Sequence, residues 1–535
     1  MQLKRSIGTF SLLFAAVGGI VGSGWLLGPF FVAQIAGPSA VLSWVIGGCL
    51  MMLIALTFAE LATSFPVAGG TIRFLQMSHG PLVSFAMAWI GWLASVAVAP
   101  IETMALINYA ANYAPWLMHT ANGMHLLTGW GVLVAGILLS ILCILNSVGV
   151  KVLAKTNSTV VILKLMVPIA TVMILLSYSF HGGNFSAHGF APAGLQGILA
   201  ALPSAGVIFS FIGYSPAIQL AGEVKNPQRS IPIAIVGSLA ICLVLYVLLQ
   251  MAFIGAVSPS MFAQGWDKLS FAGDAGPFAG IAVALGLAWF AKILFVDAAV
   301  SPYGTGLIYT ATAARMGYAL GQNGFMPQGL LKVNRFGIPL RMIVMNFVIG
   351  MFLFLPFPTW QNMMSFLVSS FVFSYAVGPL SLIVLRNTLP NHPRPFRVPF
   401  PNAFCLLAFY VCNLIVYWTG WVIVSKMLIA ILLGYVVLAC YKLTQHGKQL
   451  NLQWQKAWWV LFYIVIIAMV CYLGSFGGGH GVIPFGWDFL VIAAISWLIY
   501  ELSKRCALEA KQTQQAAEAV IEFAQNATVT EQPKL

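Results

Sequence analysis

Charged side chains are scarce in this sequence. Of its 535 residues, 12 are Asp or Glu and 25 are Lys or Arg, together 7% of the chain. A water-soluble domain carries about 25% charged residues. The scarcity therefore excludes a soluble globular fold. Hydrophobic residues, at 60%, occupy the positions that charged residues would otherwise fill.

Motifs for metal binding and covalent chemistry are also lacking. The eight cysteines are scattered without a CxxC pair, and the eight histidines form no HxE or HExxH pattern. No paired-carboxylate or nucleophile motif stands near a predicted membrane face. The basic residues form no clustered patch of the kind that binds nucleic acid. We expect no metal, no cofactor, no nucleic-acid partner and no enzymatic activity.

Long apolar runs dominate the chain instead. Almost all are long enough to cross a bilayer as helices, which takes about 20 residues. The sequence therefore predicts an all-α integral membrane protein with about 14 transmembrane helices. The predicted segments are 8–34, 39–61, 82–113, 129–148, 157–178, 197–220, 231–256, 278–304, 340–356, 361–385, 403–422, 425–443, 457–474 and 486–502.

Basic residues alternate between the predicted connections. Fourteen spans place both termini on one side, and the connections on that side, with the termini, hold 21 of the 25 basic residues. The opposite side holds only Lys268 and Lys426. The positive-inside rule places the basic side in the cytoplasm. We predict a multi-pass protein of the cytoplasmic (inner) membrane with both termini cytoplasmic, and a tail that is helical at first and then disordered.

The first and sixth segments contain helix-weakening residues at their centres. Residues 18–24 read GGIVGSG, with four glycines in seven positions, and residues 209–216 read FSFIGYSP. A break at bilayer depth persists only where it lines a cavity. Glycines of this kind also serve close packing between membrane helices. Two interrupted helices five segments apart are, however, typical of a transporter binding site.

Four stretches resemble the amino acid, polyamine and organocation (APC) superfamily. They are residues 18–24, residues 209–213, residues 222–232 (GEVKNPQRSIP), and residues 313–315 followed by Gly324 and Pro327. The resemblance covers about residues 5–445. Within the superfamily, residues 96–102 (VAVAPIE) and 301–306 (SPYGTG) are similar to bacterial permeases of the aspartate:proton symporter type.

The resemblance implies a LeuT-like fold with two inverted repeats of five helices. The repeats would cover about residues 8–178 and 197–385, within a transporter core of residues 1–445 that also includes helices 11 and 12. Two additional transmembrane helices would follow at 446–502, and a cytoplasmic tail at 503–535. The resemblance gives no purpose for the two additional helices.

The first interrupted helix would hold the carboxylate of an amino acid substrate. By resemblance, Ser23 and the backbone N–H groups of Gly22 and Gly24 would bind it. The physical reason agrees, because the N-terminus of a half-helix attracts an anion.

The second interrupted helix would complete the pocket. By resemblance, the carbonyl groups of Ile20, Phe209 and Ile212 would receive the substrate ammonium, and Gly213 and Ser215 belong to the same site. Many members of the superfamily carry Glu where this chain has Ser215. The lack of that carboxylate disfavours a cationic substrate, so we expect a neutral or acidic amino acid.

Ionisable residues inside the predicted spans are costly in hydrocarbon and are candidates for function. They are Glu102, Lys164, Lys292 and Asp297. Some relatives that need no sodium place a lysine where Lys164 stands, so we predict that Lys164 couples transport to a proton with Asp297 as its partner. Glu102 is an alternative proton carrier or a substrate contact. A static internal salt bridge is the alternative for these groups.

The remaining acidic and basic candidates have more ordinary roles. Lys292 either extends its amine to the membrane surface or pairs with Asp297. Glu60, near the cytoplasmic end of the second segment, and Glu223 lie among loop residues and are predicted to anchor loops or a gate.

These features predict a secondary transporter that imports an amino acid with a proton. Its partners would be the amino acid, protons and the lipid bilayer, and the chain would act as a monomer or homodimer. An amino acid exchanger would share every motif and differ in whether the empty carrier can reorient. A polytopic receptor or a channel is a distant alternative, because every loop is short and no filter motif is present.

Overall fold

A computed structural model describes residues 7–66, 70–121, 124–147, 150–334, 338–444 and 452–526. It gives side chains for all of these except residues 70–72, 150–160, 223 and 521–526. Five of the 21 basic residues counted on the cytoplasmic side lie outside the described part: Lys4, Arg5, Arg335, Lys448 and Lys534. The side chain of Glu223 and the end of the tail lie outside it as well.

The predicted all-α fold is confirmed, because most of the described chain is helical and only one short hairpin is present in it. The helices are α1 Thr9–Ile20, α2 Gly24–Ala36, α3 Ala40–Ser64, α4 Gly70–His79, α5 Pro81–Ala110, α6 Gly129–Ser147, α7 Val150–Tyr178, α8 Gly194–Ser204, α9 Ser215–Gln219, α10 Pro227–Ala256, α11 Pro277–Ala284, α12 Ala288–Gln322, α13 Leu340–Leu353, α14 Trp360–Tyr375, α15 Val377–Thr388, α16 Pro401–Trp418, α17 Trp421–Lys442, α18 Trp454–Leu473, α19 Trp487–Arg505 and α20 Ala510–Asn526.

All fourteen predicted segments coincide with helices. In the described part of the chain, nine helical stretches are long and apolar enough to cross a membrane, or ten with the bent pair Gly194–Ser204 and Phe209–Gln219. Four of the fourteen predicted spans are therefore not counted as separate membrane-crossing helices. The first two segments run together as Gly24–Ser64, α13 is short, and α12 and α19 do not meet the same test. The full count of fourteen stays a prediction.

Two features depart from the predicted segments. A short antiparallel hairpin, β1 Met118–Ala121 and β2 Met124–Leu127, lies between α5 and α6. The eighth segment, predicted at 278–304, is the short α11 followed by the much longer α12. Arg315 falls in the predicted connection between segments 278–304 and 340–356, but it lies within α12. The apolar run ends near Gly304, but packing against α5 and other helices continues α12 beyond it.

The first segment is broken as predicted. Val21, Gly22 and Ser23 separate α1 from α2 and have no helical assignment. The sixth segment is broken too, over a stretch that overlaps the predicted residues 209–216 and begins before them. Non-α backbone begins after Ser204, and Phe209–Tyr214 forms a 3-10 helix.

Pro216 explains why the non-α stretch of the sixth segment ends where α9 begins. Pro216 stands in the first turn of α9, where a proline is tolerated because the N–H it lacks has no helical partner. It therefore starts a helix instead of interrupting one. The chain turns at Gly206, whose φ of 102° favours glycine, and the two parts of the segment are bent by 48°.

The long helices enclose the two breaks. α5 packs against α12 and α14, while α10 packs against α1 and α3. α7 contacts α1, α10 and α12. The interrupted backbone of the first segment is thus surrounded by helices α5, α7 and α12, which carry the ionisable residues that the sequence analysis singled out.

Candidate substrate and coupling site

The start of α2 is occupied by a carboxylate of the protein itself. The backbone N–H of Ser23 donates to Oε2 of Glu102 on α5 at 2.9 Å. Glu102 is 1% exposed, and its Oε1 has no hydrogen-bond partner in the described part of the chain. The N-terminus of a helix favours negative charge, so a glutamate lies where the substrate carboxylate was predicted.

Glycine at position 22 makes this approach possible. A Cβ atom at Gly22 would lie 2.5 Å from Oε1 of Glu102 and 3.1 Å from Oγ1 of Thr305. Among the described residues, the N–H groups of Gly22 and Gly24 make no hydrogen bond.

Lys164 joins α7 to the same break. Its Nζ donates to the carbonyl oxygen of Gly18 at 3.0 Å and to Oγ1 of Thr305 at 2.7 Å. The Thr305 hydroxyl in turn lies 3.3 Å from the carbonyl oxygen of Val21. Lys164 is 1% exposed. One ammonium group therefore ties the end of α1 to α7 and α12.

Asp297, predicted as the partner of Lys164, does not contact it directly. In the described part of the chain, Lys164 forms no ion pair within 4 Å, either with Asp297 or with Glu102. Asp297 lies two helical turns from Thr305 on α12, which places it on the same face. It is 4% exposed, and its Oδ2 has no hydrogen-bond partner among the described residues.

Lys292 is exposed near the start of α12. Within the described chain it forms no ion pair with Asp297. Of the two roles predicted for Lys292, the structure therefore fits extension of the amine away from the protein.

The two broken segments touch through glycine. A Cβ atom at Gly213 would overlap the carbonyl group of Gly19 and the amide nitrogen of Ile20, and one at Gly19 would lie 2.6 Å from the carbonyl oxygen of Gly213. Nearby, a Cβ atom at Gly24 would overlap the hydroxyl of Ser210. Gly213 is therefore a point of close backbone approach within the non-α stretch of the sixth segment.

Tyrosine hydroxyl groups contact two of the carbonyl groups predicted to bind the ammonium. Tyr246 donates to the carbonyl oxygen of Ile20 at 3.2 Å, and Tyr375 donates to that of Ile212 at 3.3 Å. A carbonyl oxygen has two lone pairs, so each can accept a second donor. The hydroxyl of Ser215 is buried and has no hydrogen-bond partner among the described residues.

Aromatic side chains close one side of the site. The indole N–H of Trp360, at the start of α14, donates to the hydroxyl of Ser23 at 3.3 Å. Trp360 stacks on Phe31, with ring centroids 5.6 Å apart, and meets Phe209 edge to face at 5.9 Å. Phe209, predicted through its carbonyl group, thus contributes its ring to this cover.

Glu60 anchors a loop, as one of its two predicted roles required. Its carboxylate accepts from Nε of Arg386 at 2.7 Å, from Nη2 of Arg386 at 2.5 Å, and from the N–H of Val398 at 2.7 Å. Glu60 is fully buried. The bonds join the end of α3 to α15 and to the segment before α16.

The sequence analysis missed three residues of this site. Thr305 lies in the quoted SPYGTG stretch, so its position on α12 was a usable signal. Trp360 and Tyr246 gave no signal, because tryptophan and tyrosine are common in membrane proteins at the interfaces.

Comparison of the sequence with known proteins finds relatives that match most of the chain. Residues 7–438 match the model of the amino acid permease family. The glutamate/serine transporter AimA of Bacillus subtilis (strain 168) is 39% identical over 526 residues, which cover 97% of this chain and 96% of that protein. The aspartate-proton symporter of the same organism is 35% identical over 510 residues, which cover 95% of this chain and 97% of that protein.

A more distant relative is named for a different class of amino acid. The branched-chain amino acid permease BcaP of Bacillus subtilis is 26% identical over 471 residues, which cover 84% of this chain and 95% of that protein. The relatives are transporters, and several helices of this chain are apolar enough to span a membrane. The chain therefore belongs to the amino acid permease family of the APC superfamily and is a multi-pass membrane transporter of amino acids.

Proposed function

We propose that this permease imports a small neutral or acidic amino acid together with a proton. The observation that carries the proposal is the bond from the N–H of Ser23 to Glu102. Glu102 supplies, in the empty carrier, the anion that the substrate carboxylate supplies in the loaded one. The empty carrier then has a satisfied half-helix terminus and can reorient, which symport requires and obligatory exchange does not.

Substrate binding favours protonation of Glu102 in this scheme. The substrate carboxylate would use the N–H groups of Gly22 and Gly24, beside the Glu102 carboxylate. Two like charges at one buried site disfavour each other's ionised form. A proton on Glu102 removes the repulsion and weakens its hold on Ser23. The substrate and one proton therefore occupy the site together.

Lys164 is the second proposed coupling group. Its ammonium makes charge-assisted hydrogen bonds to Gly18 and Thr305, and such bonds are about twice as strong as neutral ones. Loss of its proton would weaken the link between α1 and the helices α7 and α12. Asp297, on the same face of α12 as Thr305, is a further proton-binding group in the proposal.

The cargo is inferred from two observations. Ser215 leaves the pocket without the carboxylate that would select a cationic substrate. Two relatives above 30% identity are named as a glutamate/serine transporter and as an aspartate-proton symporter. We therefore propose aspartate, glutamate and serine as the first substrates to test.

Uptake into proteoliposomes tests this function. Purified protein is assayed with labelled aspartate, glutamate, serine, leucine and arginine, with an inward proton gradient and with the gradient collapsed by a protonophore. We expect gradient-driven accumulation of at least one acidic or neutral amino acid into empty vesicles. Uptake that needs internal amino acid and ignores the gradient would make the protein an exchanger.

The membrane arrangement is proposed on the charge pattern and the resemblance. The proposed fold has inverted repeats at about 8–178 and 197–385 within the core 1–445, two added helices in 446–502 and a tail at 503–535. The family match over residues 7–438 supports these core limits. Both termini would face the cytoplasm from the inner membrane, in a monomer or homodimer.

A further inference from the structure

The C-terminal tail is packed against the transporter core. α20 contacts α4 and α15. Thr513, Ala517 and Val520 are buried, at 0%, 6% and 6% exposure, and their spacing places them on one face of the helix. The intervening Gln514, Gln515, Glu518 and Ala519 are exposed. The tail is thus a docked amphipathic helix.

Among the residues of α20 whose side chains the structure describes, the buried ones are Thr513, Ala517 and Val520. Each removes little apolar surface from water, and the stabilisation from burial is roughly proportional to that area.

α4 is held at several further points by the C-terminal part of the chain. The N–H of Leu508 donates to the carbonyl oxygen of Ser78 at 3.0 Å. The ring Nε2 of His79 lies 2.7 Å from the hydroxyl of Ser503. The hydroxyl of Ser78 also donates to Ser381 of α15 at 3.0 Å. α19, α15 and α20 together fix the position of α4.

α4 also contacts α9, which follows the break in the sixth segment. Opening the site toward the side of α9 requires α9 to swing about that break, as hinge motions do. α9 must then either leave α4 or carry α4 with it. A docked α20 opposes the second of these movements, because it packs on α4.

We propose that α20 is a brake on transport, which holds α4 against α9 and slows opening of the site on that side. This inference rests on the proposed function, since a brake acts on the transport cycle of the same site. Undocking of α20 releases α4 and raises the transport rate. The substrate contacts at Ser23 and Glu102 are unchanged, so substrate affinity remains the same.

Three variants test the brake. A stop codon after Glu509 removes α20 and keeps the Leu508 contact. Ala517→Glu places a carboxylate on the buried face, and Ala519→Glu makes the same change on the exposed face. We expect the truncated protein and full-length Ala517→Glu to raise the initial rate of labelled glutamate, aspartate or serine uptake by roughly fivefold over wild type. Ala519→Glu should match wild type.

Hydrogen exchange gives a second readout that needs no substrate. Amides of α4 and α9 should exchange faster in the truncated protein and in Ala517→Glu than in wild type and Ala519→Glu. Equal exchange in all four proteins would overturn the brake, even if no uptake of any amino acid is found. Faster exchange with an unchanged or reduced uptake rate would also overturn it, because α20 would then only stabilise the fold.

Failure of the proposed function has a different signature. Wild-type protein that exchanges amino acids without regard to a proton gradient would contradict symport. The rate of that exchange would still respond to Ala517→Glu if the brake exists.

Discussion

The backbone N–H of Ser23 donates to Oε2 of Glu102 at 2.9 Å, across 79 positions of sequence. This bond fills the terminus of α2 with a side chain from α5. A helix N-terminus that already holds an internal anion can accept a ligand anion only if the internal one is displaced or neutralised. The relationship therefore links substrate binding to the protonation of one glutamate.

Replacement of Glu102 by glutamine tests that link. Gln retains an oxygen that can accept the Ser23 N–H but cannot bind and release a proton. We expect Glu102→Gln to bind substrate and to exchange it, while an inward proton gradient no longer drives accumulation. The measurement is uptake into proteoliposomes with and without the gradient. Glu102→Asp, which retains a carboxylate, is the control, and wild-type accumulation by Glu102→Gln would contradict the mechanism.

Lys164→Ala removes the ammonium that ties α1 to α7 and α12. We expect it to abolish gradient-driven accumulation, because the bonds to Gly18 and Thr305 are lost. Lys292→Ala makes the same change at the exposed lysine of α12 and should transport like wild type. If both variants accumulate substrate equally well, Lys164 has no part in coupling.

Gly213→Ala tests the contact between the two broken segments. The added methyl group would overlap the backbone of Gly19, where no flexible side chain can move aside. Overpacking of this kind costs about 1–3 kcal/mol of stability. We expect a lower thermal unfolding temperature and greatly reduced uptake. Gly183→Ala is the control, since a Cβ atom there meets nothing within 4 Å; equal loss in both variants would disprove a specific contact.

The sequence predicted the first break correctly because glycines both weaken a helix and allow close approach. It also predicted non-helical backbone within residues 209–216, where Phe209–Tyr214 is a 3-10 helix, but a Gly-Pro spacing does not reveal whether proline ends a helix or begins one. At Pro216 it begins one, and the backbone turns at Gly206 instead. Gly213 has a packing role that is visible only once Gly19 is placed against it.

The buried ionisable residues were recognisable from the sequence, but their partners were not. A lysine or glutamate inside an apolar run is conspicuous wherever it stands. The bond from Lys164 to Thr305 spans 141 positions and depends on how α7 and α12 pack. The sequence pointed to Asp297 as the partner of Lys164, but it gave no sign that the direct hydrogen bond would go to a threonine hydroxyl, one of many in the chain.

Arg386→Met is expected to destabilise the fold. It removes the guanidinium that binds Glu60 and leaves a carboxylate buried without its main partner. Breaking a buried pair from one side costs about 3–5 kcal/mol. Thermal unfolding in detergent should show a clear drop. The double variant Glu60→Gln, Arg386→Met should recover part of the loss, because it no longer buries an unpaired charge; no recovery would mean that Arg386 acts through other contacts.

His79 provides a pH test that separates stability from transport. Burial lowers the pKa of His79 to about 3, and its hydrogen bond with Ser503 partly opposes that shift. Because the pKa in the folded protein is below the ordinary value of 6.5, the unfolded chain takes up the proton first as the pH falls. The stabilisation is therefore complete above about pH 6.5 and declines progressively toward about pH 3.

His79→Gln removes this titration and retains an amide that can bond to Ser503. We expect the unfolding temperature of wild type to fall more steeply than that of His79→Gln between about pH 7 and pH 5. Since His79 stays neutral in the folded protein over that range, the proton dependence of uptake should be the same in both. A His79→Gln variant that lost gradient-driven accumulation would transfer the coupling role from Glu102 and Lys164 to this histidine.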